Sequence, residues 1–168
     1  MEDRNIVDVL LTSHNYIIML SGLDKSPIST VSEKLVETFN KENSYAIELD
    51  FMHLPIGDTN SKIENRLDEV RKTNKRIIVV KSQTSPKLET DDYVIYINIS
   101  INDTMINNTS LSSKYKMVLA RNKPNRYFNY KKETDIEEYV DNIFEYIVDD
   151  IERKVYGDQY RKFKSRSS

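Results

Sequence analysis

One short stretch of the chain gathers residues suited to binding an anion or a metal ion. They are Gly22, Asp24, Lys25, Ser29 and Thr30, and they lie between a continuous apolar run, Tyr16–Ser21, and a stretch with helical spacing. Glycine allows backbone N–H groups to turn toward a ligand, lysine supplies positive charge, and a hydroxyl can hold magnesium. Because these residues precede a helix, they predict phosphate or nucleotide contacts, with Ser29 as the magnesium ligand.

The spacing of this stretch departs from that of a working phosphate-binding loop. Such a loop has glycine, four residues, then Gly-Lys and Ser or Thr. Pro27 and Ile28 stand in place of Gly-Lys, and Ser29 takes the magnesium-ligand position. Pro27 has no N–H to offer, and Ile28 has no charge. Two interpretations stay open. One is a plain strand–turn–helix connection with Ser26 as N-cap and Pro27 as first helical residue; the other is an anion site that Lys25 reaches from another direction.

A carboxylate follows the next predicted strand. Ile47–Phe51 contains Asp50, and Pro55 comes shortly after. Here the chain resembles the P-loop kinases of the uridine-kinase, pantothenate-kinase and nucleoside-monophosphate-kinase group, whose second strand often ends in an Asp-Phe-Tyr-like run followed by Pro. The resemblance implies that Asp50 is a base or substrate ligand at the carboxyl edge of the sheet. The alternative is that Asp50 only starts a turn.

The same resemblance bears on the third strand and on a basic segment. In those kinases the third strand is usually followed by an acidic residue that organises magnesium, whereas Lys81 follows Val80 here. The metal that neutralises charge in phosphoryl transfer therefore lacks its usual support. A basic lid clamps phosphates in this group, and the resemblance makes Arg121 and Arg126 our candidate nucleotide contacts. The alternative is that this basic segment is a solvated face of the protein. The residues that resemble the lid are Lys114, Lys116, Arg121, Lys123 and Arg126.

Alternating strand and helix patterns predict the elements that position these residues. Apolar runs typical of doubly buried strands alternate with stretches of helical spacing, from a first helix over Asp3–Ser13 to a last one over Thr134–Tyr156. We expect a P-loop kinase-like α/β fold, a three-layer α/β/α sandwich with a mainly parallel five-stranded sheet. One domain is expected over 1–157, followed by a basic, disordered tail over 158–168.

Composition narrows the functional classes. The 168 residues include 25 basic and 27 acidic ones, so the net charge of −2 does not favour nucleic acid or acidic membranes as partners. No apolar run is long enough to span a bilayer, and no signal peptide is visible at the start. Cysteine is absent, which removes disulfides and thiolate chemistry, and we expect a cytoplasmic protein. The many Ile, Asn, Lys and Tyr residues hint at an AT-rich genome, such as that of a large DNA virus or a low-GC bacterium.

The leading hypothesis from the sequence is a degenerate kinase-like domain without efficient phosphate transfer and without a required cofactor. It would serve as a binding or structural module for other protein subunits or for itself, in the host cytoplasm or the virion if it is viral. The alternative is an active nucleoside or nucleotide kinase that uses ATP and magnesium. In it Lys25 replaces the missing lysine, Ser29 or Thr30 holds magnesium, and Asp50 activates a substrate hydroxyl. A third possibility is an interaction domain unrelated to kinases, which an antiparallel sheet would favour.

Overall fold

The structure, a computed structural model, describes residues 14–23, 25–42, 45–54, 60–84, 86–101, 109–131 and 133–157. The predicted first helix, Asp24 and the tail lie outside these residues. The strands are β1 (Tyr16–Ser21), β2 (Ala46–Asp50), β3 (Ile77–Ser82), β4 (Tyr93–Ile101) and β5 (Arg126–Tyr130). The helices are α1 (Ile28–Lys41), α2 (Asn60–Val70), α3 (Thr109–Arg121) and α4 (Ile136–Ile151).

The complete burial of the first strand is typical of a parallel sheet with helices on both faces. Every residue of β1 is buried, so both of its faces must be covered by other elements, as in sheets built from strand–helix–strand units. β1 lies at the centre of the order β2-β3-β1-β4-β5, and each neighbouring pair is parallel. The expected α/β class with a five-stranded parallel sheet is therefore confirmed. Among the described strands, the antiparallel order that would have favoured an unrelated interaction domain does not occur.

Side chains alternate between two cores on opposite faces of the sheet. Ile18 of β1 points to the face covered by α1 and α4, whereas Met19 points to the face covered by α2. α3 joins this second face near the carboxyl ends of the strands, where its Tyr115 is bonded to Asn98 of β4. The result is the expected three-layer sandwich. Its carboxyl edge carries the β1–α1 loop and the ends of β2 and β3.

The last helix changes type near its end. α4 begins after the N-cap Asp135 and gives way to a π-helical turn over Glu152–Tyr156, where the sequence predicted one continuous helix. Here Lys154 Nζ lies 2.9 Å from a carboxylate oxygen of the buried Asp150. The same oxygen accepts the hydroxyl of Tyr16, so α4 is fixed to the amino end of β1. Burial, together with the neighbouring Asp150, raises the pKa of Tyr16.

Candidate functional site

The β1–α1 loop, Gly22–Pro27, is closed by one of its own side chains. Ser26 is buried, and its Oγ and its N–H both donate to the carbonyl oxygen of Leu23, at 2.6 and 2.9 Å. The prediction of Ser26 as N-cap and Pro27 as first helical residue is wrong, because Pro27 is the N-cap of α1 and no side chain caps the helix. The hydroxyl of Ser26 lies one residue too early to reach the first turn, so it turns back into the loop.

Gly22 is the tightest point of this loop. A β-carbon there would lie 2.8 Å from Ser26 Oγ and 3.1 Å from the carbonyl oxygen of Ile99. The N–H of Gly22 is shared between the carbonyl oxygens of Ser82 and Gln83, each at 3.2 Å. A phosphate-binding loop turns such N–H groups toward its ligand, whereas this one ties β1 to the end of β3. In its described part, the loop therefore uses the Gly22 N–H and the Ser26 hydroxyl for bonds within the protein.

Lys81 occupies the space between this loop and the neighbouring strands. It follows Ile77 and Val79 along the face of β3 that α1 covers, and its side chain is only 10% exposed. Its Nζ donates to Ser29 Oγ at 3.1 Å and lies 3.6 Å from a carboxylate oxygen of both Glu48 and Asp50. An ammonium group is therefore surrounded by three oxygen-bearing side chains at the carboxyl edge of the sheet.

The two carboxylates that face Lys81 are themselves held in place. Glu48 accepts a hydrogen bond from the buried hydroxyl of Ser32, on the second turn of α1. Asp50 accepts the N–H of Met52 at 2.9 Å through Oδ1, while Oδ2 faces Lys81. Asp50 therefore starts a turn and also faces Lys81, and its role as a base or substrate ligand stays a prediction. We refer to Lys81, Glu48, Asp50, Ser29 and Ser32 as the Lys81 cluster.

The Lys81 cluster does not fit magnesium or a magnesium-bound nucleotide. Its oxygen atoms resemble the donor set that a hard cation prefers, but the position they surround holds the Lys81 ammonium instead. Among the described residues, no group of three or more His, Cys, Asp or Glu side chains could hold a metal ion. The described residues of the cluster therefore do not fit a magnesium ion while Lys81 holds this position.

The structure brings only some of the predicted site residues together. Ser29 and Asp50 meet through Lys81, whereas Lys25 and Thr30 are exposed and lie outside the cluster. Arg121 is the last residue of α3, which returns from the carboxyl end of β4 toward the amino end of β5, away from the loop. Arg126 lies two strands from β1. Its guanidinium carbon is 4.7 Å from the Phe128 ring centre and 5.1 Å from that of Tyr146.

The central role of Lys81 was missed from the sequence, although a signal for it was present. Lys81 was treated only as a missing acid, and Glu48 and Ser32 were not considered. Strand alternation places Glu48 and Asp50 on one face of β2, and it extends the row of Ile77 and Val79 to Lys81 on the same face of β3. Since β2 and β3 pair directly, opposite charges on that shared face could have been matched.

Comparisons with known proteins support the architecture alone. No protein-family model matches the chain, and no curated protein matches it. The crystal structure of APE1195 superposes with a TM-score of 0.50 at 17% identity, covering 82% of this chain and 96% of that one. The likeness is one of fold. A shikimate kinase from Aquifex aeolicus vf5 gives a TM-score of 0.46 at 15% identity, covering 80% of this chain and 97% of the kinase.

No helix in the described part of the chain combines the length and the apolar character that a membrane span needs.

Proposed function

We propose that this chain is a P-loop kinase-like domain that has lost phosphate transfer and acts as a binding or structural module in a larger protein assembly. The observation that supports it is the position of the Lys81 ammonium, within 3.1 to 3.6 Å of Ser29, Glu48 and Asp50. The many residues with AT-rich codons fit an AT-rich genome, and a large DNA virus is one such source, in which the assembly would be a virus particle or complex.

The charge balance at the cluster explains why a fixed ammonium is incompatible with this catalysis. Phosphoryl transfer depends on positive charge that lies against the transferring group, supplied by magnesium and a lysine of the loop. Here the positive charge of Lys81 faces two carboxylates, and it is attached covalently, so a metal cannot exchange with it. The loop lysine is absent, and Ile28 stands at its position. The one positive charge of Lys81 balances only one of the two carboxylates, so the cluster keeps an excess of negative charge and has no positive charge to offer a phosphate.

Thermal unfolding with and without nucleotide tests this proposal. A ligand at one hundred times its dissociation constant stabilises a protein by about 2.7 kcal/mol, which is roughly 5–10 °C in Tm for a chain of this size. With millimolar ATP and magnesium we expect a shift below about 1 °C, in the wild type and in Lys25→Ala alike. Metal-dependent phosphorylation of a nucleoside or nucleotide that disappears in Asp50→Ala would refute the proposal.

One observation favours the second candidate, an active phosphotransferase with an atypical loop. Lys81 Nζ bonds to Ser29 Oγ, so an ammonium lies beside the first turn of α1, where an anion is stabilised by the helix dipole. If this candidate is right, ATP with magnesium raises the melting temperature, and either Lys25→Ala or Lys81→Met abolishes the shift. The lysine whose replacement matters identifies the residue that substitutes for the loop lysine.

A further inference from the structure

A groove follows the outer edge of β5, where α4 lies beside that strand. Its volume is about 480 Å³, and it opens to solvent. β5 supplies Arg126, Phe128 and Asn129 to its lining, and α4 supplies most of the rest. β5 is the last strand in the order of the sheet, so within the described part of the chain no strand pairs with its outer side. The groove therefore lies along an unpaired sheet edge, which is a template for a further strand.

The backbone of β5 presents hydrogen-bonding groups to this groove. The N–H of Asn125, just before β5, donates to the carbonyl oxygen of Tyr96 in β4 at 2.7 Å. Successive residues of a paired strand face the neighbouring strand alternately, so Phe128 and Tyr130 turn their N–H groups to the open side. The hydroxyl of Tyr139 in α4 confirms this orientation, because it donates to the carbonyl oxygen of Phe128. The N–H groups of Phe128 and Tyr130 can therefore donate to an added strand.

The α4 side of the groove is acidic. Glu138, Glu145 and Asp149 line it, and all three are exposed. None of them belongs to a salt bridge between described residues. Among the described lining residues, these three carboxylates face one guanidinium, that of Arg126, so the groove has an excess of two negative charges. Such a surface attracts a positively charged partner and disfavours a negatively charged one.

The spacing of the carboxylates fits an extended chain. Glu145 and Asp149 are four residues apart on α4, which is about 6 Å along the helix axis. Alternate side chains of a strand lie about 6.6 Å apart and point to the same face, so a strand beside β5 presents every second side chain to the α4 layer at nearly this interval. The guanidinium of Arg126 already lies between the rings of Phe128 and Tyr146, which shows that the groove accepts such a group.

We propose that this groove binds an extended basic segment of a partner protein, which pairs with β5 as a sixth strand. The segment presents lysine or arginine at alternate positions to Glu138, Glu145 and Asp149. Main-chain hydrogen bonds to β5 hold it, and the carboxylates favour its positive charge. The groove and the Lys81 cluster lie at opposite edges of the sheet, because β1 and β4 separate β3 from β5. The inference therefore does not depend on whether the β1–α1 loop binds a nucleotide.

Two capped hexapeptides of the same composition test the proposal on the full-length protein. In the first, arginine and threonine alternate, so all arginines share one face of a strand; in the second, the arginines precede the threonines. Titration of the alternating peptide into ¹⁵N-labelled protein should shift the amides of β5 and α4 saturably. It should also protect the amides of Phe128 and Tyr130 from hydrogen exchange. The second peptide has the same charge but should bind about tenfold more weakly, because its arginines point to both faces.

Two charge reversals on α4 provide the matched control. Glu145→Lys places a positive charge in the groove and should weaken binding of the alternating peptide about tenfold, since a repulsion replaces an attraction. Asp141→Lys makes the same change of net charge at an exposed position of α4 that does not line the groove, and it should leave binding unchanged. Circular dichroism verifies that both variants are folded.

Several results would overturn the proposal. Equal weakening by both variants would mean a general attraction between charges, and equal binding of both peptides or unprotected amides at Phe128 and Tyr130 would exclude an added strand. Binding that appears only after the basic residues within 158–168 are replaced by alanine would assign the groove to the chain's own segment. A dimer in light scattering that the alternating peptide dissociates would assign it to a second copy of the chain.

Discussion

Replacing Lys81 with methionine isolates the role of its charge. Methionine keeps much of the apolar stem, so the packing against β3 and α1 changes little. The substitution removes the ammonium from its contacts with Glu48 and Asp50, each at 3.6 Å, and from the hydroxyl of Ser29 at 3.1 Å. If the ammonium neutralises these groups for the sake of folding, the Lys81→Met protein should be less stable and should bind nucleotide no better.

The magnitude follows from the burial of the three groups. At 3.6 Å and an effective dielectric constant of about 20, each ion pair has a Coulomb energy of about 4–5 kcal/mol before any desolvation cost. Breaking a fully buried pair costs about 3–5 kcal/mol, and an exposed pair contributes less than about 1 kcal/mol. The Lys81 side chain is 10% exposed, but those of Glu48 and Asp50 are 32% and 55% exposed and regain water. The expected loss is therefore intermediate, about 2 kcal/mol.

Urea unfolding of the variants of a double-mutant cycle measures this loss and shows how much of it arises from the interaction between Lys81 and Glu48. Lys81→Met, Glu48→Gln and the double variant should show a coupling energy of about 1 kcal/mol or more, because the residues interact directly. Lys72→Met serves as the control, since Lys72 is exposed, and should change stability by less than about 0.5 kcal/mol. A Lys81→Met protein as stable as the wild type, with no coupling to Glu48, would contradict the role of Lys81 as an internal counter-ion.

Three further predictions concern the same site and the core. Lys81→Asp adds a third carboxylate beside Glu48 and Asp50, so urea unfolding should show a destabilised protein. Millimolar calcium or magnesium should partly restore its stability, and no response to either metal would contradict the inference that these oxygens resemble the donor set of a hard cation. Gly22→Ala should lower the free energy of unfolding by about 1–3 kcal/mol, because the added β-carbon meets Ser26 Oγ and a backbone oxygen. Gly157→Ala is the control: Gly157 has helical dihedral angles, so this variant should not be destabilised. Equal urea midpoints for the two variants would argue against the close packing at Gly22. Burial raises the pKa of Tyr115 to about 12, so the folded protein keeps a proton that the unfolded chain releases above about pH 10. The contribution of Tyr115 to the free energy of unfolding therefore falls by about 1.4 kcal/mol per pH unit between pH 10 and 12. Tyr115→Phe should reduce that slope by one proton in urea unfolding, and an unchanged slope would refute the assignment.

The architecture could be predicted from the sequence because its signals are local and strong. Runs such as Tyr16–Ser21 are too continuously apolar for a sheet with one solvent-exposed face. Their alternation with helical patterns implies that the strands pair in parallel. The spacing of Thr134–Tyr156 similarly identified the last helix. Its π-helical end was not predicted, because it accompanies a contact between Lys154 and Asp150 that depends on the packed strands.

The candidate site was less predictable because it depends on how the β1–α1 loop, β2 and β3 lie relative to one another. The sequence shows Ser26 and Pro27 in an order that suits a capped helix, but the position of the Leu23 carbonyl decides where the serine hydroxyl turns. Likewise, the charge of Lys81 can be matched to Glu48 and Asp50 only when it is known that β2 pairs with β3. Asp50 and Ser29 were both singled out from the sequence and both contact Lys81, whereas Lys81 itself was counted only as a departure from a pattern; the predicted roles of Asp50 and Ser29 stay predictions.

The two departures from a working phosphate loop are physically connected. Ile28 occupies the position that a lysine holds in a phosphate-binding loop, and as the first residue of α1 it is 1% exposed and packed in the core, so this position is part of the hydrophobic interior. Without a loop lysine and a metal, the carboxylates of Glu48 and Asp50 would lie side by side on one face of β2 with no cation. Lys81 supplies that cation from the neighbouring strand. Restoring lysine at position 28 alone would therefore bury a second ammonium near the first, and replacing Lys81 alone would leave the Ser26 hydroxyl bonded within the loop. If the proposal of a domain without phosphate transfer is right, neither change by itself should produce nucleotide binding, because the other obstacle remains in place.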